Sequence, residues 1–343
     1  MTLNTLRRDP GRSRRAVAGA ALGLLALVIS LAGCGTSASS NGTAKLTVGL
    51  TYVPNIQFAP FYAAQALGYY RDAGLSVTFH HHSPGQDEFG ALISGQEDAI
   101  FAGGDEVSQA RARKVPIVDV ATVFTRYPVV AIVPASSSIH SAADLRGHTI
   151  GVPGKYGATY IGLLSMLSAA GLKESDVNVQ PIGYTQVTAL LTHKVDVVMG
   201  YANNEPLLLQ KAGMGVRTLD VNNAEHPLIS NGLAAMQPVL ASRGGDIKKL
   251  VAATLKGVQY VLAHPQDAVN LSKAFVPGLD TASNTADALA VLQATLPYLQ
   301  SASAKPGYND PAKWTAMVRF LQDQGQLVGP VDASKAFSND YLP

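Results

Sequence analysis

From Lys45 onward, short β-branched apolar runs alternate with stretches whose apolar residues recur at helical spacing. Residues 46–50 read as a strand, 59–70 as a helix closed by Gly74, and 76–79 as a second strand. A helix over 89–94 ends at Gly95, and strand 99–101 and helix 105–113 follow, then strands 118–124 and 129–133. The pattern restarts after Asp144-Leu145-Arg146-Gly147. Strands 149–152, 177–179 and 195–200 now alternate with helices 158–170, 185–191 and 204–211. Residues 233–236 read as a strand returning to the first unit, and the tail is helical over 247–263, 266–275, 281–296 and 311–324. Such alternation predicts an α/β chain of parallel βαβ units with right-handed crossovers. Two units joined by two crossings predict two lobes with a hinge and a cleft. Residues 45–133 with 232–343 form lobe 1, and 134–231 form lobe 2. Ligands of such sheets bind outside the carboxyl ends of the strands, so chemistry is sought there.

The first 33 residues follow another logic. Arg7, Arg8, Arg12, Arg14 and Arg15 precede an apolar run from Ala16 to Ala32, which closes as Leu31-Ala32-Gly33-Cys34. A positive start, an apolar middle and small residues at the cut are the order of a secretory signal. The run is short for a membrane span, which needs about 20 residues. Cys34, the chain's one cysteine, then becomes the first mature residue and the site of lipidation, as bacterial lipoprotein processing requires. Residues 1–33 are read as signal and 34–44 as a flexible polar tether. The protein is expected outside the cytoplasm, held to the membrane by the lipid alone. This changes the charge. The signal holds five arginines and one acid, so a net charge of +2 for the chain becomes −2 for the remainder, and no case for nucleic-acid binding survives. With one cysteine, no internal disulfide forms.

Several strand-end residues carry candidate chemistry. Asn55 and Gln57 place amides at a strand-to-helix turn, with the Tyr52 ring beside them, while Phe61 belongs to the core. Gly154-Lys155-Tyr156-Gly157 opens a helix, where glycine admits close approach and backbone amides face outward. It matches neither a Walker motif nor G-x-G-x-x-G. Tyr156 offers a stacking surface, and Tyr160 is read as packing. Tyr184 and Gln186 open a further helix. Of Asp105 and Glu106, one is expected to face the cleft and the other to cap its helix; Asp105 suits the cap by type and is also carried among the ligand-facing residues. Asn203-Asn204-Glu205-Pro206 ends a strand, and Glu205 is either a ligand-facing carboxylate or an acid favoured by the helix dipole. His80-His81-His82 alternate in direction along a strand, so no metal is expected. There is no G-x-S-x-G elbow, no nucleophilic cysteine and no histidine set suited to catalysis. No enzyme activity and no cofactor are expected.

Val53-Pro54-Asn55-Ile56-Gln57-Phe58-Ala59-Pro60-Phe61-Tyr62, Gly68-Tyr69-Tyr70, Gly104-Asp105-Glu106-Val107, Ile150-Gly151-Val152-Pro153-Gly154 and Tyr201-Ala202-Asn203-Asn204-Glu205-Pro206 resemble a known family. It is the solute-binding family of the thiamine-pyrimidine-precursor receptors, which also holds the alkanesulfonate and taurine receptors and the fungal pyrimidine precursor synthase. The resemblance spans about Lys45 to Gly215. It implies a two-lobed periplasmic-binding-protein type II fold with a hinged cleft, and an ABC permease and ATPase as partners. It further implies a small heteroaromatic ligand, first a hydroxymethyl- or formylaminomethyl-pyrimidine. Tyrosines would stack on the ring, and Glu205 with the asparagines would read its polar edge through charge-assisted pairing. Riboflavin or a flavin-like ring is the alternative. A sulfonate ranks third, since no arginine stands in the matching motifs and Arg126 is the nearest. The fungal synthase uses pyridoxal phosphate and a cysteine-rich segment, which a chain with one cysteine lacks.

Overall fold

A computed structural model describes residues 43–343 except 84–85, 225 and 302–304. The signal, Cys34 and most of the tether therefore lie outside the described residues. The first sheet is built from β1 (Ala44–Leu50), β2 (Leu75–His81), β3 (Ala99–Gly103) and β4 (Ile117–Thr122), together with β10 (Asn231–Met236) from much later in the chain. The second contains β5 (Val129–Pro134), β6 (Thr149–Val152), β7 (Asn178–Pro181), β8 (Val197–Tyr201) and β9 (Val216–Asp220). Their orders correspond: β2-β1-β3-β10-β4 and β7-β6-β8-β5-β9. In each, three neighbouring strands are parallel, and the strand carried in by the crossing chain runs antiparallel beside them.

Helices cover both sheets. They are α1 (Ala59–Ala66), α2 (Tyr69–Asp72), α3 (Gly90–Ile93), α4 (Gly104–Ala112), α5 (Gly157–Ala169), α6 (Gln186–Leu191), α7 (Glu205–Lys211), α8 (Gln237–Ala263), α9 (Pro265–Ser272), α10 (Ala282–Leu299) and α11 (Pro311–Asp323). Burial on two faces explains why β3 and β5 are apolar at successive positions rather than alternating. One core cluster gathers Leu46, Val48, Phe58, Phe61 and Tyr62 with Ile247, Val251 and Leu292. Another joins Ile100 and Ala102 to Val129, Ile150, Leu163 and the fully buried Trp314. Among the described residues, no helix is long and apolar enough to cross a membrane.

The expected elements recur with four differences. Residues 59–70 form two helices, because Gly68 adopts a left-handed φ of 77° between them. Strand β9 had no expectation. The 247–263 helix starts at Gln237, with Pro238 in its first turn and non-helical torsions at Arg243. Finally, the expected boundary after Val133 moves. All of β5 pairs with β8 and β9, so its backbone belongs to the second sheet and the crossing comes before Val129.

Candidate functional site

The carboxyl ends of the parallel strands in both sheets are rich in tyrosines and acids. Beyond β1, Tyr52 stands in the turn to α1, 47% exposed; Tyr156 precedes α5, 61% exposed; Tyr184 follows β7, 78% exposed. These come from different sheets, yet their hydroxyls converge. Partial burial and the facing phenols of Tyr156 and Tyr52 hold the Tyr184 hydroxyl above its ordinary range. Large rings left this open at one place are candidate stacking surfaces.

An acid group to which both sheets contribute reaches the start of α5 through Tyr127, whose hydroxyl lies 3.3 Å from Ala158 O. Glu88 stands just before α3, Asp105 and Glu106 open α4, and Glu205 opens α7. Tyr127 and Tyr201 stand among them. The Tyr127 hydroxyl donates to Asp105 Oδ2 at 2.8 Å. Asp105 is fully buried, and its Oδ1 has no partner. Burial first, then the Glu106 charge, pushes its carboxyl up to about 7. Burial and the Glu106 carboxylate, within hydrogen-bonding reach, hold Glu88 well above the carboxylate range. Burial raises Glu205 also. Although Tyr201 is 36% exposed overall, desolvation around its hydroxyl, followed by the charges of the same acids, pushes that hydroxyl far up. No cation among the described residues offsets this group. Lys155 pairs with Glu174 at 2.6 Å, and Arg126 pairs with Asp220 while its guanidinium lies over the Tyr298 ring.

The expected site residues divide by environment. Tyr52, Tyr156 and Tyr184 stand together in the open. Gly157, with a left-handed φ of 69°, turns the chain into α5. Asn55 Oδ1 accepts from Gln57 N–H at 3.2 Å, so Asn55 caps the turn, while the half-buried Gln57 side chain makes no hydrogen bond among the described residues. At α4 the capping role falls to Glu106, whose Oε2 accepts from Gly103 N–H at 2.7 Å. Asp105 is thereby left to the acid group, the reverse of the assignment made by residue type. Glu205 Oε2 accepts from Tyr201 N–H at 2.6 Å and Oε1 from Asn204 Nδ2 at 2.9 Å. Each oxygen keeps one lone pair. Its carboxyl lies over Gly200, where a Cβ would sit 2.7 Å from Oε2. Asn203 is buried and donates to Thr295 Oγ1 at 2.9 Å, tying this strand end to α10. Tyr160, as expected, is a packing residue, donating to Glu174 at 2.6 Å.

Sequence reasoning missed Glu88 and Tyr127. Tyr127 precedes β5, expected as a strand but not as an antiparallel member of the second sheet; only that pairing, Val129 opposite Tyr201, brings its amino end to the carboxyl ends of the parallel strands. Nothing local marks Glu88. The histidine run alternates as expected along β2. Alternation sends His81 to one face and leaves His80 and His82 together on the other, where Glu97 meets both.

The chain matches the family described as NMT1/THI5 like over residues 55–268. It is 36% identical over 307 residues to the riboflavin-binding protein RibY of Chloroflexus aurantiacus, covering 87% of this chain and 86% of that protein. It is 27% identical over 333 residues to the formylaminopyrimidine-binding protein of Halalkalibacterium halodurans, covering 93% and 97%. Among solved structures, the periplasmic aliphatic sulphonate binding protein SsuA of Escherichia coli aligns with a TM-score of 0.68 at 19% identity, over 85% of this chain and 91% of that one. That last likeness is one of fold, the periplasmic-binding-protein fold.

Proposed function

We propose that this chain, which belongs to the NMT1/THI5-like family, is the solute-capturing receptor of an ABC importer for a flat heteroaromatic ligand rich in N–H or O–H donors. The observation that carries this is the pairing of three open tyrosines with a buried acid group that no free cation offsets. Phenol rings stack on a planar ring. Carboxylates accept from its donors, most strongly where water is excluded. The orphaned Asp105 Oδ1 gains a partner when a donor arrives.

Riboflavin ranks first. Its ring system suits the tyrosines, its sugar-alcohol hydroxyls suit the carboxylates, and the 36% identical relative is named for it. An aminopyrimidine thiamine precursor is the second reading. It is favoured by the spare lone pairs of Glu205, which can accept an exocyclic amine and a protonated ring nitrogen. A sulfonate is disfavoured, because the cations nearest the strand ends, Lys155 and Arg126, are already paired with acids.

The receptor role extends to the rest of the assembly. A permease and an ATPase are its partners, residues 1–33 are an export signal, and lipidated Cys34 holds the protein to the outer face of the membrane. Cys34→Ser is then expected to shift the protein from the membrane fraction to the soluble one.

Ligand choice is tested by titrating the full chain, in detergent, with riboflavin, hydroxymethylpyrimidine and an alkanesulfonate. Riboflavin is followed by quenching of its fluorescence and the others by calorimetry. Riboflavin should bind with a Kd at or below about 1 μM, equivalent to about −8 kcal/mol. Tight binding of the pyrimidine alone would move the second reading to first place. Tight binding of the sulfonate alone would overturn the donor-rich ligand class.

A further inference from the structure

On the face of the first sheet opposite the α1 core, at the β2 end where His81 Nδ1 also meets the Tyr52 carbonyl at 3.1 Å, three side chains meet. His80 and His82 project from the end of β2 on that face. His81, on the other, reaches the Tyr62 hydroxyl at 3.1 Å. Glu97, in the turn before β3, extends between the two imidazoles. Its Oε1 lies 2.6 Å from His80 Nδ1 and 2.7 Å from His82 Nε2. Glu97 is 1% exposed and His82 4% exposed, whereas the His80 side chain is 40% exposed. Gly49 makes room for the arrangement, since a Cβ there would sit 2.2 Å from Glu97 Oε2. That oxygen is buried without a hydrogen-bond partner.

The charge balance is unusual. Among the described residues, no lysine or arginine pairs with Glu97; its only ionisable partners are the two histidines. A buried carboxylate needs a compensating cation or a full set of donors, and here one oxygen has neither. We propose that His80, His82 and Glu97 form a binding site for a divalent transition-metal ion of the zinc class.

The donor set is two imidazole nitrogens and one carboxylate oxygen, a combination zinc accepts with a fourth position left to water or another group. The candidate ligand atoms all lie within 4.8 Å of one another. Around a tetrahedral ion with bonds of about 2.0–2.1 Å, ligand atoms stand about 3.3 Å apart. The two short contacts therefore need to open by less than about 1 Å. The ring nitrogens that face Oε1 turn their lone pairs to the ion, and their protons move to the opposite ring nitrogens or to solvent. Exposed His80 provides the entry side.

The test uses the untagged full chain in detergent, freed of metal with a chelator. Co2+ is added to report geometry through its visible absorption, and Zn2+ affinity is read by competition with a chromophoric chelator. One equivalent of Co2+ should give the intense bands of a tetrahedral ion, and Zn2+ should abolish them. His80→Ala should weaken Zn2+ binding at least tenfold and remove the bands. This exposed position makes the least structural demand, and circular dichroism melting verifies that the variant folds. Glu97→Gln should behave likewise, whereas His264→Ala and Cys34→Ser should match the parent. Absence of saturable binding in the parent, or unchanged binding in His80→Ala, overturns the site. Loss of binding in Cys34→Ser does the same by assigning the metal to the Cys34 sulfur.

Discussion

Tyr156 and Tyr184 are exposed rings whose hydroxyls lie close together, rather than packed into a core. Truncating either therefore removes little folding energy and much of any stacking. Tyr184→Ala and Tyr156→Ala should each weaken riboflavin binding about tenfold, in line with about 0.5–1.5 kcal/mol per aromatic pair beyond area burial, and leave the melting temperature unchanged. Fluorescence titration and calorimetric melting check the two halves of this expectation. Asp105 and Asp119 give a different signature. Burial pushes both up to about 7, so between about pH 4 and 7 the folded chain binds protons that the unfolded chain releases. Their stabilisation is complete below about pH 4 and is lost as the pH rises through 7. Asp144, Glu174, Asp176 and Asp332 are held below their ordinary values by hydrogen bonds, and their contribution is lost only as the pH falls below about 4. The melting temperature should therefore rise from pH 8 to pH 5. Asp105→Asn should reduce that rise; an unchanged slope in this variant would count against the buried-acid assignment.

At the scale of elements, turns place side chains over backbone that has no room for a Cβ. Glu205 folds back over Gly200 at the end of β8, and Glu97 crosses Gly49 on β1. Glu205 thus reports on the end of its own strand, and Glu97 on the neighbouring strand β1 as well as its own turn. Gly49→Ala is expected to destabilise by about 1–3 kcal/mol, the usual result of overpacking, read by denaturant unfolding. Trp314 on α11 anchors the second core cluster. Its indole donates to Asn309 Oδ1 at 2.8 Å, and Asn309 donates to Asp119 Oδ1 at 2.8 Å. Trp314→Ala should cost about 3–5 kcal/mol, and more than a cavity alone, because buried Asn309 Oδ1 loses the indole donor. Strand and helix positions were legible in sequence because their signals are local: β-branched runs, helical spacing, and glycine after a helix. β9 escaped because Val216–Asp220 is half polar, with neither a continuous apolar run nor clean alternation.

For the whole molecule, the chain crosses between sheets twice, before β5 and before β10, and each sheet receives one antiparallel strand by that crossing. Few segments therefore need to bend for one sheet to move against the other, the usual condition for hinge closure around a ligand. Saturating ligand is expected to decrease the radius of gyration in small-angle scattering, and an unchanged value would remove closure from the proposed mechanism. Sequence alone determined the order of elements, the α/β class, the strand-end location of Tyr52, Tyr156, Tyr184 and Glu205, and the family likeness. All of these rest on neighbours within a few residues or on short motifs. Tertiary structure alone decided that β5 serves the second sheet, that Asn203 is held by Thr295, 92 residues away, and that Glu97 joins His80 and His82 from 17 and 15 residues away. It alone assembled Glu88, Asp105, Glu106 and Glu205 into one acid group. Each of these depends on which distant backbones lie side by side, and a linear pattern of apolar and polar residues carries no signal of that pairing.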